Sequence, residues 1–164
     1  MRCIFFLLAI LVYRVEAQLP RSHTGTFEYT GEVTGGDLSL MKEKARSFFN
    51  QPFLVHWDSI ARIEQEGSTR VTGTGYITVR AKQHSVALPG EVPVSLQFSI
   101  EVRNGRYRYT VNRFKVERQS LAAFPLEEKP DSINSLVYDQ LLQRTHKRVS
   151  YVIGYLKRYM VGKE

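Results

Sequence analysis

Ser95 to Val116 reads SLQFSIEVRNGRYRYTVNRFKV, and the fold class follows from how this stretch is read. Two alternating runs flank Asn104-Gly105, the residue pair best suited to a tight two-residue hairpin turn. Such a turn fixes the register. Val102 then faces Tyr107, Ile100 faces Tyr109 and Phe98 faces Val111, which gives one apolar face. The other face pairs Glu101 with Arg108 and Ser99 with Thr110, opposite-charge and hydroxyl pairs that modestly stabilise a sheet. The second run changes phase: Tyr107, Tyr109 and Val111 are odd, Phe114 and Val116 even. One extra residue around Asn112-Arg113, a β-bulge, restores the apolar face. A bulge can aim a side chain at a ligand or simply curve the sheet.

Outward from the hairpin, the same alternation marks earlier strands. Phe27, Tyr29, Gly31 and Val33 alternate with Glu28, Thr30, Glu32 and Thr34. Val71 to Ala81 is a second clear run, with Ile77 and Val79 inward, and Ile60 to Glu64 a shorter one, followed by a turn at Glu66-Gly67-Ser68. Gly73 and Gly75 share a face with Ile77 and suggest a bend, a bulge or close approach of another element there, the first helix being the favoured one. That helix starts after Gly35-Gly36 with Asp37 as cap. It buries Leu38, Met41, Ala45, Phe48 and Phe49, and it ends at Gln51-Pro52. After a loop through Pro125 and Pro130, a long helix runs from about Asp131-Ser132 to about Met160. Its apolar stripe breaks over Gln143 to Arg148, so either the helix bends there or its last turns project beyond the sheet.

The order β-α-β-β-β-β-α predicts an α+β fold: an antiparallel sheet of four to five strands with one short and one long C-terminal helix packed on one face. Half of the TATA-binding-protein-like fold and the helix-grip fold both fit this order.

The first seventeen residues read as a signal peptide, with Arg2, an apolar stretch from Ile4 to Tyr13 and a small-residue cut after Ala17. That stretch is roughly half the length of a spanning helix, which needs about 20 residues, and nothing later is long and apolar enough to span. Removing 17 of 164 residues leaves 147, divided into a flexible lead-in (18–25) and one domain (26–161). The only cysteine, Cys3, leaves with the leader, so the domain has neither disulfide nor thiol chemistry. The formal charge is +7 for the whole chain, and loss of Arg2, Arg14 and Glu16 makes it +6. For an exported, periplasmic or extracellular protein, that charge points to an anionic envelope component or a protein partner.

YTGEV near the start, Ala45-Arg46-Ser47-Phe48-Phe49, Gly73-Thr74-Gly75 and Val102 to Tyr109 (VRNGRYRY) together resemble the secreted Bacteroidetes-type family called domain of unknown function 4468. The resemblance covers roughly Gly25 to Val116 and finds no correspondence in Phe53 to Glu66. It implies a TATA-binding-protein-like fold and export, and it carries over no catalytic or ligand residue.

Candidate chemistry is sparse. His56-Trp57-Asp58 brings an imidazole and a carboxylate together; sequence neighbours on a strand point to opposite faces, in a loop the two could pair, and Trp57 then reads as a core anchor. His23, His84 and His146 have no metal-ligand spacing, and no serine sits in a nucleophile elbow. No cofactor is implied, and the protein reads as a non-enzyme. A hydroxyl-rich outer face (Thr30, Thr72, Thr74, Thr78, Ser95, Gln97, Ser99, with Glu28, Glu32 and Glu101) lacks the apolar wedges of a minor-groove binder, which argues against nucleic acid. Basic residues load the hairpin, so Arg103, Arg106, Arg108, Arg113 and Lys115, with Tyr76 on the outer face, are the candidate partner-binding residues. A second basic group, Arg144, Lys147, Arg148, Lys157 and Arg158, loads the last helix. Self-pairing into a homodimer is a further expectation. The alternative is a helix-grip carrier of a small apolar ligand or lipid, its cavity lined by Phe98, Ile100, Tyr107, Tyr109, Phe114 and the last helix.

Overall fold

The computed structural model describes residues 19–51, 55–65, 68–80, 90–118 and 122–162, with backbone alone for 59–65 and 68. The expected leader with Cys3, Pro52, Glu66-Gly67 of the second turn, and residues 81–89 with His84 lie outside the described residues. The elements in chain order are β1 (Tyr29–Thr34), α1 (Leu38–Phe48), β2 (His56–Gln65), β3 (Ser68–Arg80), β4 (Glu91–Arg103), β5 (Arg106–Val116), β6 (Phe124–Pro125) and α2 (Ser135–Val161). The strands form one antiparallel sheet in the order β1-β5-β4-β3-β2, with β6 also paired to β5. This is the expected α+β architecture with one short strand more. β6 spans two residues, too few to show a periodicity.

The β4–β5 hairpin has the register expected from its turn: Val102↔Tyr107, Glu101↔Arg108, Ile100↔Tyr109, Ser99↔Thr110 and Phe98↔Val111. Gly105 supplies the left-handed residue (φ 74°), while Asn104 stays at negative φ. The bulge is also present. The register slips between Ser95 and Gln97, opposite Asn112 to Lys115. There Arg113 takes φ 57°, and it is alone among the described non-glycine residues in doing so. β5 changes its edge partner at this point. It pairs with β1 through Val111 and with β6 from Lys115, so the bulge fills the step between two short edge strands.

Both helices pack on the inner face. Asp37 caps α1 by accepting from the Ser39 and Leu40 amides at 2.9 and 3.1 Å, and Met41, Ala45 and Phe48 turn inward. Phe48 and Phe49 then meet Phe98 of β4 and Trp57 of β2, with Phe49 and Trp57 centroids 4.6 Å apart. The glycines of β3 make this possible. A Cβ at Gly73 would collide with the Phe49 ring, as the helix-approach reading expects, whereas a Cβ at Gly75 would collide with the His56 carbonyl of β2.

α2 starts three residues later than its sequence suggests. Asn134 accepts from the Leu136 amide at 2.8 Å, and Gly162 (φ 77°) ends the helix with its amide on the Arg158 carbonyl. Its 27 residues span about 40 Å. The sequence leaves open a bend or a projection of the last turns beyond the sheet, and the structure packs those turns on α1. Leu156 and Met160 are buried, Tyr159 bonds Ser47 at 2.5 Å, and Lys44 of α1 donates to the Met160 carbonyl. The polar stretch Gln143 to Arg148 is internal contact in part, with Gln143 and Lys147 exposed. Thr145 is fully buried, His146 Nδ1 lies 2.8 Å from the Tyr29 hydroxyl, and Arg144 reaches the Arg80 carbonyl. No described helix is long and apolar enough to cross a membrane.

Candidate functional site

The outer sheet face carries no described helix. At its hairpin end, alternation sets four arginines and two glutamates around one concavity of about 230 Å³: Glu32, Arg70, Glu101, Arg103, Arg106 and Arg108. They come from four strands. Three of them share a row with Glu101, because Glu32 is paired with Arg108, Arg108 with Glu101, and Glu101 with Arg70.

Glu101 organises this cluster. Its side chain is only 10 % exposed and receives Arg70 Nη2 on Oε2 at 2.7 Å. Arg103 Nη2 stands 2.5 Å from Oε1, an ion pair that is not aligned as a hydrogen bond. The hydrogen bond from Arg70 holds the carboxyl below its ordinary range, and the positive charges of Arg70 and Arg103 act in the same direction against the cost of burial. Arg106 pairs with Glu32 at 2.8 Å on the exposed rim. Arg108 is exposed and makes no hydrogen bond or ion pair among the described residues, although Glu32 and Glu101 flank it in register. The Glu101–Arg108 pair expected from the hairpin is thus a neighbour relationship, and the ion pair itself goes to Arg70.

The remaining candidates lie elsewhere. Arg113 and Lys115 edge a second depression of about 340 Å³ at the bulge, with Thr26, Asn112, Phe114, Pro125 and Glu127. Glu127 there accepts from the Phe27 amide at 2.7 Å. Tyr76 is at the far end of the outer face, its ring stacked on His56 at 5.0 Å and 25°. One row joins it to Lys115 through Ser95. His56 and Trp57 therefore part company, the imidazole outward and the indole toward the core, while Asp58 is exposed like His56.

Arg70 belongs to the site and is missing from the sequence candidates. Parity with Thr72 and Thr74 marks it as outward, but its place beside Glu101 depends on the β3–β4 register, which no short turn specifies.

No protein-family model matches the chain, and no curated protein matches it. Solved structures do share its fold. A TBP-like protein from Parabacteroides distasonis superposes with a TM-score of 0.62 at 9 % identity, over 87 % of this chain and 96 % of that one. A DUF4468 family protein from Bacteroides ovatus gives 0.53 at 10 % identity, over 83 % and 90 %. The resemblance noted in the hairpin and its flanks thus leads to the right architecture: this chain has the TATA-binding-protein-like α+β fold of those two structures.

Proposed function

We propose that this is an exported, non-enzymatic recognition domain whose outer sheet face binds an anionic partner at the arginine concavity. One observation carries the reading: three guanidinium groups pair with two carboxylates, and a fourth beside them, that of Arg108, has no hydrogen bond or ion pair among the described residues. The site holds two positive charges in excess. Its buried carboxylate fixes Arg70 and Arg103 in place, so a ligand meets donors that are already oriented. Packing on the opposite face favours this reading over a carrier of apolar ligands. Phe98 is in ring contact with Phe48, Phe49 and Trp57, and Phe114 lies edge-on to Tyr29 at 6.0 Å. Those rings are occupied by protein.

The test is retention of the purified domain on anionic polymer extracted from its own envelope. Double reversal Arg106→Glu/Arg108→Glu abolishes retention, while Lys147→Glu/Arg158→Glu on exposed positions of α2 leaves it in place. Equal loss in both variants would reduce the interaction to net charge and overturn the proposal.

A further inference from the structure

We infer that the occupant is an acidic polysaccharide of sparse charge, laid along β5 from the arginine concavity to the Tyr76 platform. This rests on the anionic-partner reading above and assigns its chemistry.

Three features of the outer face converge on that ligand. The first is the spacing of free cations. Arg108 and Lys115 differ in parity, and an unbroken strand would turn them to opposite faces. The bulge at Arg113 brings them to the same face, opposite Glu101 and Ser95. Those two partners are six residues apart on β4, a separation of about 20 Å. Neither Arg108 nor Lys115 has a hydrogen bond or ion pair among the described residues.

The second feature is the floor between them. Thr110, Ser99 and Thr72 form one row and Asn112, Gln97 and Thr74 the next. These rows on β3 to β5 contain only neutral groups that both donate and accept, matching the two-way hydrogen bonding of sugar hydroxyls. Thr72 and Ser99 already bond each other at 2.9 Å. Glu28 and Glu117 stand at the margins, engaged with Asn112 and Ser95. A polymer charged at every unit, such as a nucleic acid, would find no cation among the described residues of these rows and would face those carboxylates. A polysaccharide that carries one acidic sugar among three neutral ones places its charges only at the ends of the track.

The third feature is the aromatic wall. His56 covers one face of the Tyr76 ring, so its other face turns across Ser95 toward Lys115, where the apolar face of a sugar ring can stack.

The experiment is calorimetric titration of the mature domain with deacylated gellan oligosaccharides, whose repeat holds one acidic and three neutral sugars, and with a single-stranded oligonucleotide of similar length. An oligomer of two repeats reaches both cations with its two carboxylates and a single repeat does not. The two-repeat oligomer should bind about tenfold tighter than the single repeat, a step equivalent to one well-made ionic contact, and tighter than the oligonucleotide. Arg108→Ala and Tyr76→Ala should each weaken it about tenfold, while Tyr76→Phe, which keeps the ring, restores binding. Length-independent binding, a tighter oligonucleotide or an indifferent Tyr76→Ala would overturn the assignment. If no oligosaccharide binds while Arg106→Glu/Arg108→Glu still abolishes retention on envelope polymer, the polysaccharide assignment falls and the anionic-partner reading stands.

Discussion

Glu101 faces Arg108 across the β4–β5 ladder, yet it is Arg70, from the strand on its other side, that holds the Glu101 carboxylate at 2.7 Å. The buried carboxylate thereby joins β3 to β4 and leaves Arg108 available. A carboxyl whose folded pKa lies below its ordinary value of 4.5 stabilises the native state fully at neutral pH. That contribution is lost as pH falls from about that value through the lower folded one, because the unfolded chain takes up the proton first. Glu101→Gln should therefore cost about 1–2 kcal/mol at pH 7, a figure reduced because Arg70 and Arg103 are themselves well exposed. It should also flatten the acid limb of stability against pH. Urea denaturation from pH 7 to 3 measures both, and an unchanged acid limb would remove Glu101 from the account.

Gly73 and Gly75 make different demands. A Cβ at Gly73 meets the Phe49 ring and Trp57 Cε3, side chains that can shift, whereas at Gly75 it meets the His56 backbone carbonyl. Alanine at either position overpacks, in the range of about 1–3 kcal/mol, with the larger cost where backbone must move. Gly75→Ala should thus be the more destabilising in chemical denaturation. Equal costs would mean that β2 yields as easily as an aromatic ring.

The hairpin was legible because its information is local. Asn104-Gly105 sets the pairing, and the change of parity between Val111 and Phe114 reveals the bulge without any tertiary contact. Asp37 marks the start of α1 in the same way. What could not be read depends on contacts between distant segments. Arg70 meets Glu101 only through a register set by the core, since the 81–90 connection is too long to fix one. β6 is defined by where it docks, with the Leu126 amide on the Phe114 carbonyl at 3.0 Å. The polar break in α2 reads in sequence as a bend or a projection beyond the sheet, whereas Thr145 is buried and His146 bonds Tyr29. Of the site, the three hairpin arginines were visible as a basic strand, but the carboxylate that orders them was visible only as half of a cross-strand pair.

Arg113 holds φ 57° at the step between β1 and β6. A side chain with a Cβ costs roughly 1–2 kcal/mol in this left-handed conformation, and glycine escapes that cost while losing more entropy on folding. Arg113→Gly should therefore be neutral to stabilising by about 0.5–1 kcal/mol, and Arg113→Val, which is β-branched, destabilising by about 1 kcal/mol. Thermal melts of the two variants give the sign directly. Destabilisation by glycine would show that the guanidinium holds the bulge more strongly than its backbone strains it.

Tyr107 is fully buried, and its hydroxyl has no hydrogen-bond partner among the described residues. Loss of solvent pushes its pKa from 10.0 to about 12, with the neighbouring Tyr109 adding to the shift. An acid whose folded pKa is raised supports the native state below the unfolded value, and that support is lost as pH rises from about 10 toward 12, where only the unfolded chain ionises readily. Burial raises the Tyr29 and Tyr138 hydroxyls as well, so the alkaline slope is shared among three residues. Tyr29 lies against His146, and Tyr138 donates to the Leu126 carbonyl; Tyr107 alone of the three forgoes a bond. Tyr107→Phe keeps the ring and deletes an unsatisfied polar atom. It should stabilise the domain by about 1 kcal/mol at pH 7, because the desolvation cost of the hydroxyl disappears and no hydrogen bond is lost. It should also make the decline above pH 10 shallower. Denaturation at pH 7 and at pH 10.5 separates the two effects, and a Tyr107→Phe protein less stable than the parent at pH 7 would mean that the hydroxyl is bonded after all.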